Sequence, residues 1–103
     1  MGTATCINTL AAEIHATAVQ KGFWDPGLDT NLGTRLMLIV TELGEAMEEY
    51  RRNGVTDHFG EELADVFIRL LDVAEGYGVD LGAAVDAKMT RNRERPRLHG
   101  KRF

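Results

Sequence analysis

Apolar residues recur at helical spacing along most of the chain, and no segment shows the clean alternation that marks a half-buried strand. The pattern predicts a first helix from about Thr5 to Lys21, which Gly22 ends. The next ten residues, "GFWDPGLDTN", are typical of a loop because they contain the turn sequence Asp-Pro-Gly. The first 31 residues are therefore predicted to contain one amphipathic helix and a loop.

Three more helices are predicted by the same spacing: from about Asn31 or Leu32 to Arg52, from about Phe59 to Tyr77, and from the N-cap Asp80 through about Arg93. Pro96 disfavours helical geometry at the residue before it, so an irregular basic tail is expected from about residue 95. Four helices with short connections predict an all-α fold. One such chain makes a thin bundle, and we expect dimerisation to complete its core.

Length and composition fit one domain over residues 1–103. The chain is 44% hydrophobic and 27% charged, as in ordinary globular proteins. No apolar run approaches the roughly 20 residues of a membrane-spanning helix, and the N-terminus does not resemble a secretory signal. Cys6 is the only cysteine, so an intrachain disulfide is impossible. We therefore expect a cytoplasmic protein that does not bind membranes.

Charge is distributed unevenly along the chain. Residues 1–87 carry 5 basic and 15 acidic side chains, whereas residues 88–103 carry 7 basic side chains and one acidic one. An acidic body could bind cations while the basic end binds an anion or a neighbouring subunit. The charge distribution disfavours nucleic acid as a partner, because the acidic body would repel it.

Two acidic clusters lie beside the apolar stripes of the second and third predicted helices. At 100° per residue, Glu42 and Glu45 lie within about 60° of each other, and Glu62 and Asp65 repeat this spacing. Both pairs have the same offset from the apolar stripe, so antiparallel packing of the two helices would bring them together. A single Glu-x-x-Glu is usually solvated surface, but two matched pairs beside the core favour a site.

Converging carboxylates repel one another, and a hard divalent cation relieves that repulsion. Carboxylate oxygens suit Mg²⁺, or Mn²⁺ in its place, and Mg²⁺ often bridges carboxylates and substrate phosphates. Zinc is less favoured because no Cys or His has a matching spacing. The sequence therefore predicts a Mg²⁺ site at Glu42, Glu45, Glu62 and Asp65.

The order of these segments resembles the MazG-like all-α nucleoside triphosphate pyrophosphohydrolases, a superfamily that includes dCTP pyrophosphatases and dimeric dUTPases. The resemblance rests on "KGFWD", "LMLIVTELGEAMEEYR", "EELADVFIRLLD" and "AKMTRNRERPRLHGKRF", and it covers the chain from about residue 8 to the end. It implies the four-helix MazG-like fold and Mg²⁺-dependent hydrolysis of (deoxy)nucleoside triphosphates to the monophosphate and pyrophosphate. Removal of non-canonical or surplus nucleotides and a homodimer or dimer of dimers are also implied.

Residue roles follow from the resemblance. The four carboxylates would hold the metal, and Glu42, Glu49 and Glu61 are alternative general bases. The phosphate-binding candidates share a basic or amide side chain near the C-terminus: Lys88, Asn92, Arg95 and Lys101.

The base pocket is predicted from a second match. His15 and Trp24 have the spacing of a histidine and a tryptophan that form the base pocket in the dCTP pyrophosphatase branch. Each also has a structural interpretation, Trp24 as a hydrophobic anchor for the loop and His15 as a half-buried helix residue. Arg52 and Arg69 stand where that branch has aromatic residues. Arg69 is therefore expected to contact a phosphate or to pair with a carboxylate.

Three alternative functions compete with this prediction. A phosphoribosyl-ATP pyrophosphohydrolase shares the acidic-helix design but fits the Gly-Phe-Trp loop and the C-terminal segment less well. A non-catalytic helical module that binds a nucleotide or a protein would have no need of a repulsive carboxylate cluster. Nucleic-acid binding through the basic tail would show as salt-dependent DNA binding without hydrolysis.

Overall fold

A computed structural model describes residues 2–27 and 31–96. It contains four helices: α1 (Thr3–Gln20), α2 (Leu32–Asn53), α3 (Asp57–Gly76) and α4 (Leu81–Glu94). No strand occurs among these residues, so the predicted all-α class is confirmed. No helix in this part of the chain combines the length and the apolar character needed to cross a bilayer.

Side-chain caps fix where three of the helices begin. Asn31 accepts a hydrogen bond from the Thr34 backbone N–H, and Thr56 does the same for Phe59. Asp80 accepts from the Ala83 N–H at 3.0 Å, which confirms the predicted N-cap of α4. Because these oxygens satisfy backbone donors that have no partner within the helix, each cap defines a start. The cap at Thr56 explains why α3 begins two residues earlier than the apolar spacing predicted.

The central helix is α3. It packs against both α1 and α2, and α4 packs mainly against α1, whereas α2 contacts no helix except α3 among the described residues. The buried apolar residues are few and mostly small: Ala11, Ala18, Ala46, Leu71, Val73 and Ala74. The helices therefore approach closely along α3, and the rest of α2 faces away from the chain's own core.

The described chain is more open than a typical domain of its size. Its radius of gyration is 16.1 Å, whereas about 13 Å is usual for 100 residues. Many large apolar side chains of α2 are exposed, including Met37 at 61%, Val40 at 55% and Met47 at 56%. One chain thus leaves much of its apolar surface uncovered.

The start of α4 is clamped onto α1 by one side chain and one close backbone approach. Asn8 donates from Nδ2 to Asp80 Oδ1 at 2.8 Å, and its Oδ1 accepts from the Gly82 N–H at 2.9 Å. Gly82 is buried, and a Cβ at this position would collide with the backbone carbonyl of Ala4. Glycine is thus required at this helix crossing for a steric reason.

We expect Gly82→Ala to destabilise the protein by about 1–3 kcal/mol, because the added methyl group forces α4 away from α1. The matched control is Gly60→Ala in α3, where a Cβ would meet nothing within 4 Å. That substitution should stabilise by about 0.5–1 kcal/mol through the greater helix propensity of alanine. Urea denaturation followed by circular dichroism measures both changes. Equal effects of the two substitutions would contradict the close crossing.

Candidate metal centre and adjoining cavity

Three carboxylates from two helices meet in the structure. Glu42 lies on α2, and Glu62 and Asp65 lie one turn apart on α3. One oxygen from each can be chosen so that all three lie within 4.8 Å of one another. The antiparallel pairing expected for the two acidic clusters therefore brings together three of the four predicted ligands. We call Glu42, Glu62 and Asp65 the carboxylate triad.

The fourth predicted ligand, Glu45, lies beside the triad. The charge of Glu42 is the largest cause that raises the pKa of Glu45 above its ordinary value of 4.5, followed by partial desolvation and a hydrogen bond with Glu42. The charges of Glu62 and Asp65 add smaller effects in the same direction. Like charges nearby favour the protonated form of a carboxyl group. The raised pKa of Glu45 therefore reflects the negative charges of all three triad residues.

Two basic side chains partly compensate this potential. Arg69 Nε donates to Glu42 Oε1 at 2.9 Å, which is the second of the two contacts predicted for this arginine. His58 Nε2 lies 3.5 Å from Glu62 Oε1, and its Nδ1 lies 3.3 Å from Glu61 Oε2. The hydrogen bond with Glu61, followed by the charge of Glu49, raises the pKa of His58. Arg69 therefore offsets part of the negative charge of the triad, and His58 adds to this effect when it is protonated.

The donor set fits a hard divalent cation. Carboxylate oxygens on adjacent helices are the ligands that Mg²⁺ and Mn²⁺ prefer, and no cysteine lies in the group. Glu42 and Glu62 have side chains only 15% and 17% exposed, whereas Asp65 is exposed, so the triad opens to solvent on the side of Asp65. A cation bound there would replace mutual repulsion with attraction.

The three general-base candidates occupy different surroundings. Glu42 belongs to the triad and is paired with Arg69. Glu49 accepts a hydrogen bond from Asn53 Nδ2 at 3.0 Å, two turns along α2 from Glu42. Glu61 is 75% exposed and contacts His58. Among the three, Glu42 alone belongs to the triad itself.

A cavity of about 360 Å³ adjoins the triad. Glu42, Asp65 and Arg69 line one part of it, and Asp72 contributes a fourth charged side chain. The remaining walls come from α1, the loop and α3: Ile14, Thr17, Ala18, Phe23 and Ile68. The cavity therefore combines a carboxylate end with mainly apolar sides, which is typical of small-molecule sites.

Asp72 is the centre of a hydrogen-bond network that includes both predicted base-pocket residues. His15 Nδ1 lies 2.8 Å from Asp72 Oδ1, and Trp24 Nε1 donates to both carboxylate oxygens at 3.1 Å. His15 and Trp24 also contact each other edge to face, with ring centroids 4.9 Å apart. The structure thus brings these two residues together behind Asp72, although neither lines the cavity.

The Trp24 ring is enclosed by packing contacts. The guanidinium of Arg35 stacks on one face at 3.7 Å from the ring centroid, and Tyr77 contacts the ring edge to face. A Cβ on Gly76 would collide with the far edge of the indole. Arg35 also donates to the Phe23 carbonyl at 2.8 Å, which ties α2 to the loop. These contacts support the anchoring interpretation of Trp24, and a base that stacks on it would have to use the other face.

Two of the predicted phosphate-binding residues, Lys88 and Asn92, lie on α4, which carries no residue of the triad. Lys88 lines a separate shallow groove on α4, and Lys88 and Asn92 are both exposed. Among the described residues α4 makes no contact with α2, the helix that carries Glu42. Arg95 follows α4 in extended backbone conformation, as expected before Pro96. Lys101 lies outside the described residues.

Comparisons of this chain with protein-family models, curated proteins and solved structures gave no match. The MazG-like resemblance therefore stays a prediction that rests on the quoted motifs.

Two residues that sequence reasoning missed contribute to the site, Asp72 and His58. Asp72 follows Asp65 by seven residues, so two helical turns place both on nearly the same side of α3. That spacing was a usable signal for Asp72. His58 precedes Glu61 and Glu62 by three and four residues, which is also contact spacing on a helix. Helical geometry beyond the two acidic pairs would have identified both residues.

We expect Glu45→Gln to raise the melting temperature at pH 8 in the presence of a chelator. The raised pKa of Glu45 means that its ionised form destabilises the folded state above that pKa, and the amide removes this charge. The gain should shrink as the pH falls through 4.5, because the carboxyl group then becomes protonated in the unfolded protein as well as in the folded one. Thermal unfolding of wild type and variant at pH 4 and pH 8 measures the difference.

Glu48→Gln is the matched control, because Glu48 is exposed on α2 and pairs only weakly with Arg52 at 3.5 Å. Its melting temperature should change little at either pH. A decrease for Glu45→Gln at pH 8 would show that repulsion from the triad does not govern this side chain.

Proposed function

We propose that this chain is a Mg²⁺-dependent nucleoside triphosphate pyrophosphohydrolase of the MazG-like type. The observation that carries the proposal is the carboxylate triad of α2 and α3, which opens into a cavity large enough for part of a nucleotide. Separately, the order of motifs along the chain resembles that family. Cytoplasmic removal of non-canonical or surplus deoxynucleotides is the corresponding cellular role.

In the proposed reaction, water attacks a phosphorus atom of the α–β anhydride, and the bridging P–O bond breaks to release the monophosphate and pyrophosphate. Glu42, Glu62 and Asp65 would hold Mg²⁺, and Glu45, whose pKa is raised by their charges, is proposed as the fourth ligand. When bound, the ion supplies positive charge that offsets the triphosphate and polarises its oxygens. Mn²⁺ has the same ligand preference and can substitute.

The chain's own carboxylates also remove the proton from the attacking water. Glu42, Glu49 and Glu61 are the candidates for this role, and Glu42 belongs to the triad itself. Arg69 neutralises part of the negative charge and lines the cavity, so it is placed to meet phosphate or sugar oxygens. Lys88, Asn92, Arg95 and Lys101 are the residues proposed to bind the phosphates that extend from the triad.

The proposed active form is a homodimer, or a dimer of dimers. A shallow apolar groove of about 400 Å³ lies between α2 and α3, lined by Leu43, Ala46, Met47, Tyr50, Val55, Phe59 and Leu63. The exposed apolar side of α2 continues from it. A second copy of this chain offers the same apolar surface, so the two surfaces can cover each other about a twofold axis.

One alternative is favoured by a specific observation. Arg69 and His58 already contact Glu42 and Glu62, so two triad carboxylates have basic partners without any metal. Such pairing suits a non-catalytic helical module that binds a nucleotide or a protein. A phosphoribosyl-ATP substrate is a second alternative within the same chemistry.

The reaction is tested by following pyrophosphate and monophosphate release from a panel of canonical and modified nucleoside triphosphates. We expect turnover with Mg²⁺ or Mn²⁺ and none with a chelator. Asp65→Asn should lower kcat/KM by roughly 100-fold or more, because it removes a ligand of the cation that offsets negative charge in the transition state. Glu48→Gln on α2 is the control and should keep wild-type activity. Orthophosphate release, or normal activity of Asp65→Asn, would contradict the proposal.

Dimerisation is tested by sedimentation at micromolar concentration, where wild type should have two or four times the chain mass of 11.4 kDa. Met47→Glu should shift the protein towards monomer, because it places a charge in the apolar groove. Met89→Glu is the matched control, since Met89 is similarly exposed but lies on α4. A monomeric wild type, or equal effects of both substitutions, would exclude this surface as the interface.

A further inference from the structure

Arg69 is a permanently charged cation at the edge of the triad, and helical spacing places it there. It follows Asp65 by four residues on α3, so the two side chains lie on the same side of the helix. Long helical side chains point back towards the N-terminal end of their helix, which directs the guanidinium towards Asp65. Its Nε donates to Glu42 Oε1 on α2 at 2.9 Å. Arg69 therefore joins the two helices at the point where their carboxylates meet.

Most hydrogen-bond donors of Arg69 are not used by the chain. A guanidinium has five N–H groups, and within the described part of the chain only the Nε–H group has a partner, Glu42. The side chain is 47% exposed and lines the cavity together with Glu42 and Asp65. The two terminal nitrogens therefore have four N–H groups for solvent or for the oxygens of a ligand in the cavity. Such a planar group suits phosphate oxygens.

Arg69 and a divalent cation would compete for Glu42. The ion needs carboxylate oxygens of the triad, whereas the guanidinium already binds one oxygen of Glu42. Two positive charges beside one carboxylate also repel each other, and water screens this repulsion weakly because the Glu42 side chain is only 15% exposed. Arg69 is therefore expected to oppose binding of the ion alone.

A phosphate ligand reverses this relation. Its oxygens accept hydrogen bonds from a guanidinium and also bind Mg²⁺. The two cations then share an anion between them and no longer compete for Glu42. Coupling of this kind is reciprocal, so a cation at the triad also favours phosphate binding to Arg69.

We propose that Arg69 couples cation binding to phosphate binding by exchanging partners. It pairs with Glu42 when no cation is bound, and it turns to a phosphate oxygen when a cation takes Glu42. This inference rests on the proposed function and adds a regulatory role to its metal site. The cation alone binds weakly as a result, and the site is completed when a phosphate ligand binds with it.

Mn²⁺ affinity without nucleotide tests the competition, and it is measured as the loss of the free Mn²⁺ signal in electron paramagnetic resonance. Arg69→Gln should bind Mn²⁺ about tenfold more tightly than wild type, which is within the usual range for coupling between two ligands. Arg69→Lys keeps the charge and should bind close to the wild-type value. Arg52→Gln is the matched control, because Arg52 is an exposed arginine of α2 that pairs with Glu48. Equal or weaker binding by folded Arg69→Gln, or no binding by any of these proteins, would overturn the proposal.

The exchange of partners is followed in wild-type protein by nuclear magnetic resonance of the Arg69 Nε–H group, which is assigned by its loss in Arg69→Lys. Saturating Mg²⁺ should shift this resonance and speed its exchange with water, because the group loses Glu42 as its acceptor. Inorganic pyrophosphate added next should shift it again and slow the exchange, because the guanidinium gains an oxygen partner. A resonance that stays unchanged in either step would contradict the partner exchange.

Neither measurement depends on turnover. Both expected results without hydrolysis of any triphosphate would support the partner exchange and overturn the proposed reaction. Metal-dependent hydrolysis together with an unchanged Mn²⁺ affinity of Arg69→Gln would overturn this role of Arg69 and leave the reaction standing.

Discussion

The contact between α2 and α3 carries both the attraction that holds this fold and the repulsion that marks its site. Ala46, on α2, is 1% exposed, and it lines the apolar groove between the two helices together with Leu63 of α3. At the border of the same contact, Glu42 meets Glu62 and Asp65. The helices cannot bury their apolar stripes without also bringing these carboxylates together. Arg69 and His58 reduce the repulsion among these carboxylates, and a divalent cation would reduce it further.

The helices were predictable because each has a local signal. Apolar spacing predicted all four, and the turn chemistry around Gly22, Gly54 and Gly78, which all have positive φ, placed their ends. The predicted N-cap Asp80 is confirmed, whereas the start of α3 was missed by two residues. The hydroxyl of Thr56 caps the helix and sets its first residue, and the spacing of apolar residues carries no information about this cap.

The candidate site was predictable only as far as one helix determines it. The two Glu-x-x-acid pairs have the same angular offset from their apolar stripes. This was enough to predict that Glu42 lies close to Glu62 and Asp65. Contacts between elements distant in sequence could not be derived in this way. The pairing of Asp72 with Trp24 joins residues 48 apart, and its geometry depends on how the loop folds over α3. The placement of α4 relative to the triad likewise depends on helix crossing angles, which periodicity does not specify.

The contacts of Asn8 and Gly82 hold α4 at its first turn, far from its C-terminal end. Gly82 is its only buried residue, and the side chain of Asn8 holds this end. Fourteen residues of helix extend about 20 Å, so a tilt of roughly 10° at the clamp displaces the far end by 3–4 Å. The far end carries Arg91 and Arg93 in its last turn. A tilt at the point where the two backbones touch would therefore move the positive charge at the far end further than the contact itself moves.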